Sequence, residues 1–199
     1  MSHDNGIRAR MTRRQVMMAA MAAAAAGFVG VPAGLAATAA ESYVARVGAG
    51  VLKAANAGSV GSFRSLLRQN ADIASIALFS LGPYRKKLPS SRRQEYYGLV
   101  EQYISGVFAA HSAKLRGQAL TVSGSREATD SVIVTSSFQA ADGRKVPVTW
   151  RLTKRGGGYK VFDVNVEGIW LATTQKTNFI SVLKKNNGSF DALIAYLRQ

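Results

Sequence analysis

The stretch Tyr159-Lys160-Val161-Phe162-Asp163-Val164-Asn165-Val166-Glu167-Gly168-Ile169 decides the fold. Apolar and polar residues alternate along it, the period of a half-buried strand. Phe162, Val164 and Val166 are expected on one face. Gly156-Gly157-Gly158 just before it reads as a turn, without the flanking pattern of a phosphate loop. Further upstream, Val146, Val148, Trp150 and Leu152 alternate with Lys145, Thr149, Arg151 and Thr153. Asp142-Gly143 marks a hairpin turn. Val132, Val134, Ser136 and Phe138 alternate before it, and Leu120-Thr121-Val122 opens the region after Gly117. Strands joined by turns this short pair antiparallel, so about four strands are expected in one sheet.

Helical periodicity flanks the strands on both sides. Val44, Val47, Val51 and Leu52 recur at helical spacing between Glu41 and Asn56. A second helix carries Phe63, Leu66 and Leu67, and Asp72 can cap a third, which Gly82-Pro83 ends. Ser91 with Gln94 reads as a capping box for a long helix presenting Tyr96, Tyr97, Val100, Tyr103, Ile104, Val107 and Phe108. That wide apolar stripe predicts a deeply seated helix. After the strands, Thr173 or Thr174 is the expected cap of a helix with Phe179, Ile180, Val182 and Leu183. A last helix carries Phe190, Leu193, Ile194 and Leu197. No repeat and no linker interrupts residues 41–199, so they read as one α+β domain.

Residues 1–40 read as an export signal instead. Arg8, Arg10, Arg13 and Arg14 precede an uncharged run from Gln15 to Ala40 crowded with Ala and Gly. A cationic start, an apolar middle and a small-residue exit form a secretory pattern. Cleavage is expected after Ala36 or Ala39. The Arg13-Arg14 pair points to the twin-arginine type. A membrane-spanning helix is the competing reading, weakened by Pro32 and by the modest apolarity of Ala and Gly. Without this segment, 22 Lys and Arg stand against 10 Asp and Glu.

The whole chain of 199 residues carries a formal charge of +15 and no Cys. Missing Cys excludes disulfides, thiolate zinc sites and a Cys nucleophile. The positive charge favours anionic partners, and the exported location argues against nucleic acid. His111 is the one His after the leader, which makes a transition-metal site implausible. No serine-hydrolase elbow, P-loop or dinucleotide fingerprint occurs. Asp163 and Glu167 are the close pair of acids at the sheet, and a buried Asp163 could act as a base. Turn hydrogen bonds or pairing with an Arg explain them more simply.

The run from Tyr159 to Ile169 resembles the signature strand of the MlaC family, the toluene-tolerance or auxiliary phospholipid-transport proteins. Thr174-Gln175-Lys176-Thr177-Asn178-Phe179 is similar to that family's Gln-Arg-Ser-x-Phe stretch, and Gly188-Ser189-Phe190-Asp191-Ala192-Leu193-Ile194 to its closing helix. Leu81-Gly82, the basic residues after it and Arg93-x-x-Tyr96 resemble its middle. The likeness runs in order through nearly all of residues 41–199. Lys176 stands where the family usually has Arg, which removes bidentate recognition there. Pro83 and Tyr84-Arg85-Lys86-Lys87 depart from the commoner Trp-containing version.

The resemblance implies a periplasmic carrier without a cofactor, acting as a monomer. It would hold phospholipid chains in an apolar cavity between a curved sheet and helices. It would move them between an inner-membrane ABC transporter complex and an outer-membrane lipoprotein complex. The expected lining is Val146, Val148, Trp150 and Leu152, opposed by Tyr97, Tyr103, Ile104, Val107 and Phe108. Phe162, Val164 and Val166 extend it, and Phe179, Ile180 and Val182 close it. Arg85, Lys86, Lys87, Arg92 and Arg93 are the expected contacts to headgroups, a membrane surface or an acidic partner. Three other readings stand beside this one: a hopanoid or other polycyclic-lipid carrier of the same fold, a small cone-shaped enzyme using Asp163, and a protein that binds anionic polymers.

Overall fold

The computed structural model describes residues 33–115, 117–140 and 142–199. The first 32 residues, most of the expected export segment, lie outside that range. Helix α1 spans Ala33–Ala57 and so starts before Glu41. Its first turns are mostly Ala, the residue of highest helix propensity. Helices α2 (Val60–Asn70) and α3 (Ile73–Ser80) follow. Asp72 Oδ1 accepts the Ser75 N–H, as its capping position predicts. Gly82–Lys87 and Ser90–Arg92 form 3-10 turns, and α4 runs over Arg93–Ala110. No capping box starts α4. Arg92 Nε instead donates to Glu95 Oε2 at 2.8 Å across the first turn. A short α5, Ser112–Leu115, precedes the sheet.

Five antiparallel strands lie in sequence order: β1 (Gly117–Ala128), β2 (Ser131–Ala140), β3 (Lys145–Arg155), β4 (Gly158–Val166) and β5 (Ile169–Trp170). Four correspond to the expected strands. The fifth is two residues long, too short for periodicity to reveal. Directly opposed residues of paired strands share a face. Val134 opposes Trp150, which opposes Val164. Val132 opposes Leu152, which opposes Val161.

Strict alternation fails once in β4. The register shifts at Arg151/Leu152, so Phe162 is the extra residue of a β-bulge. Val161, rather than Phe162, therefore joins Val164 in the sheet core. Phe162 lies edge-on against Phe79 of α3, with ring centroids 5.4 Å apart.

Helix α1 covers the apolar face of the sheet. Ala40, Val44 and Val47 pack with Val132, Val134, Phe138, Val148, Trp150, Leu152 and Val161. The approach is close: a Cβ on Gly48 would stand 2.4 Å from Leu120 Cδ2. Buried polar atoms within this core are paired. Trp150 Nε1 donates to Ser136 Oγ at 2.9 Å, and that hydroxyl donates to the Val148 carbonyl.

A second core joins the helices. Tyr96, Val100, Phe179, Leu183, Leu193 and Leu197 bring α4 together with α6 (Leu171–Lys185) and α7 (Phe190–Leu197). The Tyr96 hydroxyl donates to the Ala77 carbonyl and ties α4 to α3. Ions fasten α7: Arg92 bridges Glu95 and Asp191, and Arg198 reaches Glu95. Glu101, nearly buried on α4, receives Arg64 Nε and Arg68 Nε from α2 at 2.6 and 2.9 Å. No helix among the described residues is long and apolar enough to cross a membrane.

Candidate functional site

The expected lining residues fall into groups. Val146, Val148, Trp150, Leu152 and Val164 share the sheet core under α1. Val166 opposes Val148 at the end of β4. Tyr97, Tyr103, Ile104, Val182 and Phe179 lie together in the helical core. Phe108 stands apart and stacks on Phe63 of α2, with centroids 5.7 Å apart. Val107 faces outward, 37% exposed. Ile180 lies against Gly82, where a Cβ would come within 2.6 Å of its Cδ1.

Exposure separates these residues further. Leu152 and Phe179 are fully enclosed by protein. Tyr97, Tyr103, Ile104, Phe108, Val146, Phe162, Val164, Val166 and Ile180 are only half-buried. Large apolar side chains in that state keep surface available for further burial, about 25 cal/mol for each Å² covered. The Tyr103 and Tyr196 hydroxyls share a hydrogen bond at 3.0 Å. Burial, then that bond, pushes the Tyr103 phenol up to about 12, so the ring remains neutral and suited to apolar contact.

Asp163 is 3% exposed. Its Oδ1 accepts the N–H groups of Val164 and Ala172, both at 2.8 Å. It therefore holds the first turn of α6, the place the sequence assigned to Thr173 or Thr174. Those threonines sit inside the helix, because α6 begins at Leu171. Their position was misjudged because the capping group comes from a strand and not from the preceding residue. Asp163 Oδ2 has no hydrogen-bond partner, and burial raises the carboxyl above its ordinary range. Arg151, across the strand pair, lowers it in part and lies over the Trp170 ring at 4.3 Å. His111 closes α4, its Nδ1 2.8 Å from the Val107 carbonyl oxygen.

The basic residues divide too. Arg85, Lys86, Lys87 and Arg93 are exposed. Arg92 is engaged by Glu95 and Asp191. The ion-paired Glu101 was missed in the sequence. Its signal was an acid beside Val100 in the middle of an apolar helix, with Arg64 and Arg68 one turn apart on α2. Among the described residues no group of three or more acids and histidines could hold a metal ion.

Helices packed on an open, curved antiparallel sheet define an α+β domain in which large apolar side chains of both the sheet and the helices remain half-buried. Residues 40–199 match the MlaC protein family, and the chain belongs to that family. Among solved structures, it is similar to the phospholipid-binding protein of Ralstonia solanacearum, determined in complex with a phospholipid. Identity is 23%, the match covers 82% of this chain and 94% of that one, and the TM-score is 0.68. No curated protein matches the chain in sequence.

Proposed function

We propose that this protein is a periplasmic phospholipid carrier. The observation that carries the reading is the set of half-buried apolar side chains on β3, β4, α4 and α6, in a domain otherwise well packed. Membership of the MlaC family and the fold shared with a phospholipid-bound protein support it. Each methylene of an acyl chain gains about 0.8 kcal/mol on leaving water, so covering these side chains with lipid benefits both surfaces. In this reading Val146, Val164 and Val166 meet the acyl chains from the sheet, and Tyr97, Tyr103 and Ile104 meet them from the helices. Phe162 and Ile180 lie at the margin of that set.

Val148, Trp150 and Leu152, on the same sheet face as Val146, Val164 and Val166, and Phe179 in the helical core pack beside the lining and hold it in place. Val107 and Phe108 lie toward the C-terminal end of α4. The N-terminal segment directs export and is removed by cleavage after Ala36 or Ala39, which leaves Ala40 in the sheet core. The carrier exchanges cargo with an inner-membrane ABC transporter complex and an outer-membrane lipoprotein complex. Asp163 fixes α6 and performs no catalysis.

Movement of a labelled phospholipid from donor to acceptor vesicles tests the reading. The protein is expected to accelerate it well above the spontaneous rate. A protein that neither accelerates exchange nor removes label from donor vesicles contradicts it.

A further inference from the structure

We infer that the 3-10 turn Gly82–Lys87 and the C-terminal end of α6 together form a surface that docks on an anionic lipid bilayer. The inference rests on the carrier reading and adds to it the place where the membrane is met. The two segments are far apart in sequence and adjacent in the fold. A Cβ on Gly82 would lie 2.6 Å from Ile180 Cδ1 and 3.2 Å from Lys176 Cε. A Cβ on Gly188 would lie 3.3 Å from Tyr84 Cε1. The turn thus runs along α6 from Lys176 past Ile180 to the connection with α7. Lys184 follows Ile180 by one helical turn. This arrangement brings exposed Arg85, Lys86 and Lys87 to the side of the molecule that carries exposed Lys184 and Lys185.

Clustering distinguishes this surface. Cations elsewhere such as Lys53 and Lys145 also lack an ion pair among the described residues, but here five lie on two adjoining segments with no acid to offset them. Among the described residues none of these five cations has an ion-pair partner, whereas Asp72, Glu95, Glu101, Glu127, Asp142 and Asp191 are all paired with cations elsewhere. Asp191, on the neighbouring helix, is taken by Arg92. The helix dipole explains lysines in the last turn of α6. It does not explain three further cations on the adjoining turn.

The chemistry favours a bilayer over a protein. Four of the five cations are lysines, flexible point charges suited to diffuse attraction to anionic headgroups. Protein interfaces deplete lysine and anchor on aromatic and Arg side chains. Among the described residues the exposed large apolar side chains are Val60, Val107 and Ile169, none of them on this surface.

The test is binding of the full chain to phosphatidylcholine vesicles with and without phosphatidylglycerol. Lys184→Gln/Lys185→Gln is compared with Lys53→Gln/Lys145→Gln, which removes the same charge from other exposed positions. Preference for phosphatidylglycerol is expected to fall about fivefold per lysine in the first pair and far less in the second. Equal losses, no loss in either pair, or no preference in the unaltered chain would each overturn the inference. Binding to polyglutamate but not to the vesicles overturns it in favour of an acidic protein partner. Lipid extracted from the same preparations tests the carrier reading separately. A lipid-loaded protein without vesicle preference sinks the docking surface alone, and an empty one sinks the carrier.

Discussion

Asp163 Oδ1 accepts the Ala172 N–H at 2.8 Å, so strand β4 supplies the cap of helix α6. The bond crosses the β4–β5 turn, where Glu167 adopts φ 51° and Gly168 φ 89°. The bond joins the sheet to the helical layer, as do the Phe162–Phe79 contact and the Asp72 N–H donated to the Val161 carbonyl. Asp163→Ala leaves the Ala172 and Val164 N–H groups without their acceptor. It is expected to cost about 1–2 kcal/mol in urea unfolding. An unchanged midpoint would show that α6 is held by packing alone.

The same carboxyl gives a pH signature. Burial raises it in the folded state, with its backbone hydrogen bonds and Arg151 offsetting part of the rise. The unfolded chain therefore ionises first as pH increases. Stability falls from near the ordinary value of 3.8 upward and levels off above the raised folded value. Asp163→Asn keeps an acceptor and loses this dependence. The stability difference between variant and parent should shift in favour of the variant as pH rises through that window. A constant difference would mean that the carboxyl titrates alike in both states.

Glu101 is served twice, by Arg64 and Arg68, each partly exposed. Removing either arginine alone should cost under about 1 kcal/mol, as for exposed pairs. Removing both leaves the nearly buried carboxylate uncompensated and should cost about 3 kcal/mol. The excess of the double variant over the two single ones measures the redundancy. Simple additivity would contradict it.

Gly48 and Gly98 predict opposite signs. Gly48→Ala drives a methyl group into Leu120 and is expected to destabilise by about 1–2 kcal/mol after the gain in helix propensity. Nothing lies within 4 Å of a Cβ built on Gly98 in α4. Gly98→Ala should stabilise by about 0.5–1 kcal/mol. Thermal melts of the two variants, side by side, check both.

Ser136→Ala removes the acceptor of the buried Trp150 Nε1. A loss of about 1–3 kcal/mol is expected, together with altered Trp emission in the folded protein. Unaltered stability and emission would mean that the indole finds another acceptor.

The strands were legible because one face of the sheet is buried, which imposes alternation on Val132 to Phe138 and Val146 to Leu152. Alternation hid the bulge at Phe162, since Phe162 is itself apolar and keeps period two with Val164 and Val166, while Val161 takes the core position. Local capping rules identified Asp72, whose partner is three residues away. They misplaced the cap of α6, whose partner Asp163 is nine residues away across a turn. Arg92 and Arg85 look alike in a run of cations, yet only Arg92 meets acids brought to it by folding. The apolar lining was readable as a list. Which members fill a core, like Leu152, and which retain free surface, like Val164, depends on packing between layers that the list does not encode.

The carrier reading is tested most directly by mass spectrometry of the purified protein, first native and then after solvent extraction. One phospholipid per chain is the predicted result, and the extracted mass identifies its headgroup. A polycyclic lipid would keep the carrier and replace the cargo. A protein that is empty as purified, and takes up no lipid from vesicles, would contradict the account.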